Sequence, residues 1–93
     1  MTKENPASDE EVRRAVQELI LEVLNRKKVA AKIDDIREGV PLMTGLGIDS
    51  LDILQLCFAV EKRYKLRFSE DEIKAMGDLG AIVQTVKKHL ASQ

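Results

Sequence analysis

Gly45-Leu46-Gly47-Ile48-Asp49-Ser50-Leu51-Asp52 lies near the middle of the chain, where a glycine-rich loop runs into a long apolar-periodic segment. A helix is expected to start at Ser50, because serine and aspartate are both good helix N-caps and the residues after them turn apolar. The serine has three possible roles: a nucleophile, an attachment point for another group, or only a cap.

Catalysis is poorly supported. A serine nucleophile needs a base within hydrogen-bond reach and an oxyanion hole. The only histidine, His89, lies in the last turn of the chain. Gly47-Ile48-Asp49-Ser50-Leu51 lacks the second glycine of a nucleophile elbow, and no strand precedes it. Nor do Gly45 and Gly47 make a P-loop, since no Lys-Ser or Lys-Thr pair follows them.

Working outward, Ser8 and Glu11 form a capping box ahead of Val12, Ala15, Val16, Leu19, Ile20, Val23 and Leu24. Those residues fall on one helical stripe, so a first helix is expected from Asp9 to Arg26. Residues 27–49 have no sustained period and are broken by Gly39, Pro41, Gly45 and Gly47. They read as a long loop packed along the bundle, with a helical turn near Ile33–Arg37. The second helix takes its apolar content from Leu51, Leu54, Cys57, Phe58 and Val60, with Glu61-Lys62-Arg63 at its solvated end. Ile53 and Leu56 widen that arc beyond one core-facing stripe, so some apolar side chains should face outward. Ser69 and Glu72 form another capping box for a short third helix ending near Met76-Gly77. Asp78 can cap a last helix through Leu79, Ile82, Val83, Val86 and Leu90. The expected fold is an all-α, small four-helix bundle with a long loop between helices one and two. Its core should include Val16, Leu19, Ile20, Leu54, Ile82 and Val86. Residues 1–7 are expected to be mobile and 8–93 to form the domain.

Composition fits. The 93 residues are 44% apolar but only 3% aromatic, as suits a helical core of aliphatic side chains. Fifteen basic residues against sixteen acidic give a net charge of −1, which argues against a nucleic-acid-binding face. No apolar run is long enough to span a membrane. The polar N-terminus is not a signal peptide, and one cysteine allows no internal disulfide, so a cytoplasmic location is expected. Cys57 should act as a small buried hydrophobe. No metal constellation surrounds His89, which sits where a helix C-terminus mildly favours a cation.

Leu46-Gly47-Ile48-Asp49-Ser50-Leu51 resembles the prosthetic-group site of acyl carrier proteins, and the likeness spans roughly residues 8–91. It includes the capped first helix, the long loop, the motif at the start of helix two, a short third helix and a closing fourth. Aligned on Ser50, the family's usual aromatic at the end of helix two falls at Tyr64, and its apolar residue before helix three at Phe68. The resemblance implies that Ser50 carries 4′-phosphopantetheine, placed there by a phosphopantetheinyl transferase. Asp49 would help the transferase and its divalent metal engage the serine, or cap the helix. Leu51 would be half exposed as a hydrophobic contact. An acyl group would be held as a thioester on the arm, and the chain itself would catalyse nothing. Expected partners are acyltransferase, ligase or ketosynthase enzymes, met by a monomer through Leu51, Gln55, Phe58, Glu61 and Lys62. The pathway would be fatty-acid, specialised lipid or polyketide-like biosynthesis; a peptidyl or aminoacyl carrier of a nonribosomal-type pathway is the alternative.

One feature departs from the family. Fatty-acid carriers are typically acidic along helix two and meet basic patches on their partners. Here Gln55 stands where glutamate is common, and Lys62, Arg63, Lys65 and Arg67 cluster around Glu61. From Asp49 to Asp78 there are seven acidic and five basic residues. A dedicated partner is expected rather than a general fatty-synthase shuttle.

Overall fold

The computed structural model describes residues 8–92, so the expectation for residues 1–7 lies outside the described residues. Five α-helices and one 3-10 turn follow in order: α1 (Asp9–Arg26), the turn (Ile33–Asp35), α2 (Leu42–Leu46), α3 (Ser50–Tyr64), α4 (Glu70–Lys74) and α5 (Leu79–Ala91). The three long helices, α1, α3 and α5, form the bundle, and α2 and α4 are single short turns against it.

Local chemistry accounts for most boundaries. The Ser8 hydroxyl accepts the Glu11 N–H at 3.2 Å while Glu11 accepts the Ser8 N–H at 2.9 Å. Ser69 and Glu72 repeat this exchange at 3.1 and 2.8 Å. Asp78 caps α5 through the Ala81 N–H and ties down the preceding loop through the Gly39 N–H, both at 2.9 Å. A lysine with left-handed backbone follows both α1 and α3, Lys28 at φ 62° and Lys65 at φ 57°. That geometry lets the next N–H reach back to a free carbonyl: Val29 to Leu24 at 2.9 Å and Leu66 to Glu61 at 3.1 Å.

The core is a single aliphatic cluster. Val12, Val16, Ile20 and Leu24 of α1 meet Ile53, Leu56, Cys57 and Val60 of α3, and Leu79, Ile82, Val83 and Val86 of α5. The loop contributes to it as expected, since Ile36, Leu42 and Ile48 are fully buried. Gln17 fastens the loop to α1 by donating its side-chain amide to the Ile36 carbonyl at 2.7 Å. Leu42 N–H donates to the Gly77 carbonyl at 2.9 Å, which joins α2 to the segment after α4.

Three expectations are corrected. The loop between helices one and two is not free of regular helix, because it contains α2. Gly45 sits inside that helix rather than breaking it, and a Cβ there would lie 2.7 Å from Val40 Cγ1. Leu54 is exposed and Leu19 only half-buried, so neither belongs to the sealed core. Leu54 departs from the expectation because α3 carries two apolar stripes, not one. Ile53, Leu56, Cys57 and Val60 face inward; Leu51, Leu54 and Phe58 face outward on the opposite side.

Candidate functional site: an exposed serine at the head of a helix

Gly47 prepares the site. It ends α2 in left-handed conformation at φ 75°, which a side chain would strain. The turn returns the Ile48 N–H to the Leu42 carbonyl at 3.0 Å and buries Ile48. With Ile48 anchored, Asp49 and Ser50 emerge at the surface where α3 begins.

Asp49 is the cap. Its carboxylate accepts the Asp52 N–H at 2.9 Å, and Asp52 accepts the Asp49 N–H in return at 3.2 Å. Ser50 is therefore the first residue of the helix and not its N-cap. The capping role considered for Ser50 is corrected, because Asp49 fills that place. Ser50 is exposed, and among the described residues its hydroxyl makes no hydrogen bond. The Ser50 and Leu51 N–H groups likewise find no acceptor among the described residues. They point from the positive end of a 15-residue helix, where an anion is favoured.

Sequence reasoning missed the cation behind this site. Lys27, just past the end of α1, lies 2.7 Å from the Asp52 carboxylate and 3.7 Å from that of Asp49. The Lys27 ammonium, helped by the Asp49 backbone, holds the Asp52 carboxyl below the usual carboxylate range; Asp52 in turn raises Lys27. A separation of 25 residues left no periodicity from which this pairing could be read.

Beside Ser50 is a cleft of about 380 Å³ between α2, the head of α3 and α4. Met43, Ile53, Ile73 and Met76 give it an apolar lining, with Lys74 at its edge. Met43 and Thr44 carry no signal for this place in the sequence, because the short helix presenting them has no periodicity of its own.

The remaining expected residues divide by position. Leu51 is 61% exposed and Phe58 53%, both on the outward stripe with Leu54. Gln55 and Lys62 are exposed on the same side. Glu61 is partly committed, since its carboxylate accepts the Phe68 N-H at 2.7 Å. Cys57 is buried on the inward face, and burial pushes its thiol up to about 11, so it is not poised to react. His89 packs edge-on against Phe68 with ring centroids 5.6 Å apart, and its Nε2 faces the Glu72 carboxylate at 3.0 Å. Among the described residues no cluster of three or more His, Cys, Asp or Glu is placed to hold a metal, and no helix is long and apolar enough to cross a membrane.

Comparison with known proteins identifies related chains. Residues 14–86 match the family model described as "Phosphopantetheine attachment site". A protein of Sulfurovum sp. (strain NBC37-1) named "Acyl carrier protein" is 26% identical over 72 residues, covering 77% of this chain and 89% of that one. A Wolinella succinogenes protein of the same name is 24% identical over 72 residues, covering 77% and 88%. One from Clostridium acetobutylicum is 34% identical over 44 residues, covering 47% and 57%.

Proposed function

The chain belongs to the acyl carrier protein family, and on that premise we propose that the Ser50 hydroxyl is the attachment point of its 4′-phosphopantetheine. As a family member it is a carrier and not a catalyst. The observation that supports Ser50 is the division of labour at the head of α3: Asp49 does the capping, so the neighbouring hydroxyl has no structural duty.

The residues present fit the group. A phosphodiester on Ser50 Oγ would lie beside the unpaired N–H groups of Ser50 and Leu51, at the positive end of α3. Lys27 balances the Asp49 and Asp52 carboxylates that would otherwise repel it. When attached, the group supplies a flexible arm ending in a thiol that bears the acyl cargo. The chain's own task is to hold the serine outward on a rigid helix and to offer Leu51 as an apolar contact for the transferase. The apolar lining of the adjacent cleft suits hydrophobic cargo better than a charged aminoacyl group. Fatty-acid, specialised lipid or polyketide-like synthesis is the setting this supports, with acyltransferase, ligase or ketosynthase partners and a cytoplasmic monomer as the working form.

Loading tests the assignment. Incubation with coenzyme A and a promiscuous phosphopantetheinyl transferase should add one group by intact-protein mass spectrometry, mapped to Ser50. Ser50→Ala should keep its helical circular dichroism and accept none. Addition at another serine, or none with several transferases, would overturn the proposal.

A further inference from the structure

The outward stripe of α3 is polarised along its length. At the Ser50 end the acids are internally engaged, Asp52 with Lys27 at 2.7 Å and Asp49 with the Asp52 N–H. The exposed Leu51, Leu54 and Phe58 run along it from that end. At the far end Phe58 and Leu66 floor an open groove walled by Lys62, Lys65 and Arg67. The acid in that groove, Glu61, accepts the Phe68 N-H at 2.7 Å, while among the described residues Lys62, Lys65 and Arg67 form no ion pair. Three cations, none of them in an ion pair among the described residues, thus surround an apolar floor against a single carboxylate that is tied to the Phe68 N–H.

We infer that this groove is the docking site for a partner protein that presents an apolar side chain within an acidic patch. Charge complementarity names the partner: acids opposite Lys62, Lys65 and Arg67 would meet unpaired cations, and an apolar knob would cover Phe58. An anionic membrane fits less well. A helix lying in a lipid surface spreads its cations along both flanks of a long apolar face, with its opposite face in water. Here the cations gather at one end, and the opposite face is sealed in the core.

The arrangement also sets a register. Lys62 is twelve residues beyond Ser50, roughly 18 Å along the helix axis. On the carrier reading, the partner's acidic patch therefore lies about that distance from the mouth of the site that Ser50 serves. The Leu51–Phe58 stripe would be covered between the two.

The test uses the whole, unloaded chain, so it is independent of whether Ser50 accepts its group. The probes are a helical peptide with a leucine stripe rimmed by glutamates, its lysine-rimmed counterpart, and phosphatidylglycerol–phosphatidylcholine vesicles. The glutamate peptide should shift the amide resonances of Leu54, Phe58, Lys62, Leu66 and Arg67. Its binding should weaken by ~tenfold or more in Phe58→Ala and in the Lys62→Glu, Arg67→Glu double variant, and should fall as salt rises. All these side chains except Leu66 are exposed, and thermal melts should show the variants folded. Equal binding of the lysine peptide, or undiminished binding in the folded double variant, would overturn the inference. Vesicle binding that outcompetes the peptide would assign the groove to lipid and overturn it as well.

Discussion

At the residue scale, Asp49 and Ser50 separate two jobs that a sequence of aspartate then serine leaves entangled. Both residue types cap helices, and only the backbone decides which holds the place. Anchoring Ile48 in the core puts extended backbone at Asp49, with φ −89° and ψ 177°, and helical backbone from Ser50 onward. A capping side chain must sit on the extended residue, so the carboxylate caps and the hydroxyl is left over. Asp49→Ala should therefore destabilise the fold by about 1 kcal/mol in urea unfolding, while Ser50→Ala should change it by less than about 0.5 kcal/mol. The reverse order of effects would return the capping role to Ser50 and remove the main structural support for it as an attachment point. The serine's candidacy was legible in the motif. Its freedom from capping was not, because that depends on where Ile48 is buried.

At the scale of elements, the caps were legible and the short helix was not. Ser8, Ser69 and Asp78 each act on an N–H three residues away, a range within which sequence alone specifies geometry. α2 was hidden because its justification is tertiary: Val40 packs closely over Gly45, and the Leu42 N–H is held by the Gly77 carbonyl. The two stripes of α3 were also merged, since inward and outward apolar residues look alike until their phases are separated. α4 shows how a five-residue element persists. Its capping acid, Glu72, accepts the Ser69 N–H and faces Nε2 of His89 on α5. The Ser69 hydrogen bond first, and His89 second, hold the Glu72 carboxyl below its ordinary value. A carboxyl lowered on folding adds stability that is fully present above the unfolded value of about 4.3 and is lost as pH falls through the folded one. Glu72→Gln keeps an acceptor for Ser69 but removes the proton linkage. The variant should therefore show a shallower loss of stability below about pH 4 than the parent, measured by urea midpoints across the acid range. Parallel curves would mean that Glu72 acts only as a neutral cap.

At the scale of the whole molecule, the near-neutral net charge conceals an uneven distribution. Several acids are spent on the fold: Glu11, Asp49, Asp52, Glu72 and Asp78 serve caps, and Glu61 braces the turn after α3. Lys62, Arg63, Lys65 and Arg67 are exposed on or just after α3, and among the described residues they form no ion pair. The exposed charge at the far end of α3 is thus basic, and charge of this kind governs encounter rate and discrimination between partners. If general fatty-acid enzymes present basic patches, as the family resemblance implies, they should meet this face with like charge. The loaded chain should then be a poor substrate for an elongating ketosynthase of an ordinary bacterial fatty-acid system. Replacing Gln55, Lys62 and Arg63 with Glu should raise its transfer rate, and the gain should shrink as salt screens the surface. Binding of the glutamate-rimmed peptide should fall in the same variant, since one substitution set reverses the preference in both directions. Transfer rates for parent and variant at two salt concentrations decide the matter. A parent that already matches an ordinary carrier would show the cations to be a solvated face, ending the case for a dedicated acidic partner while leaving Ser50 untouched.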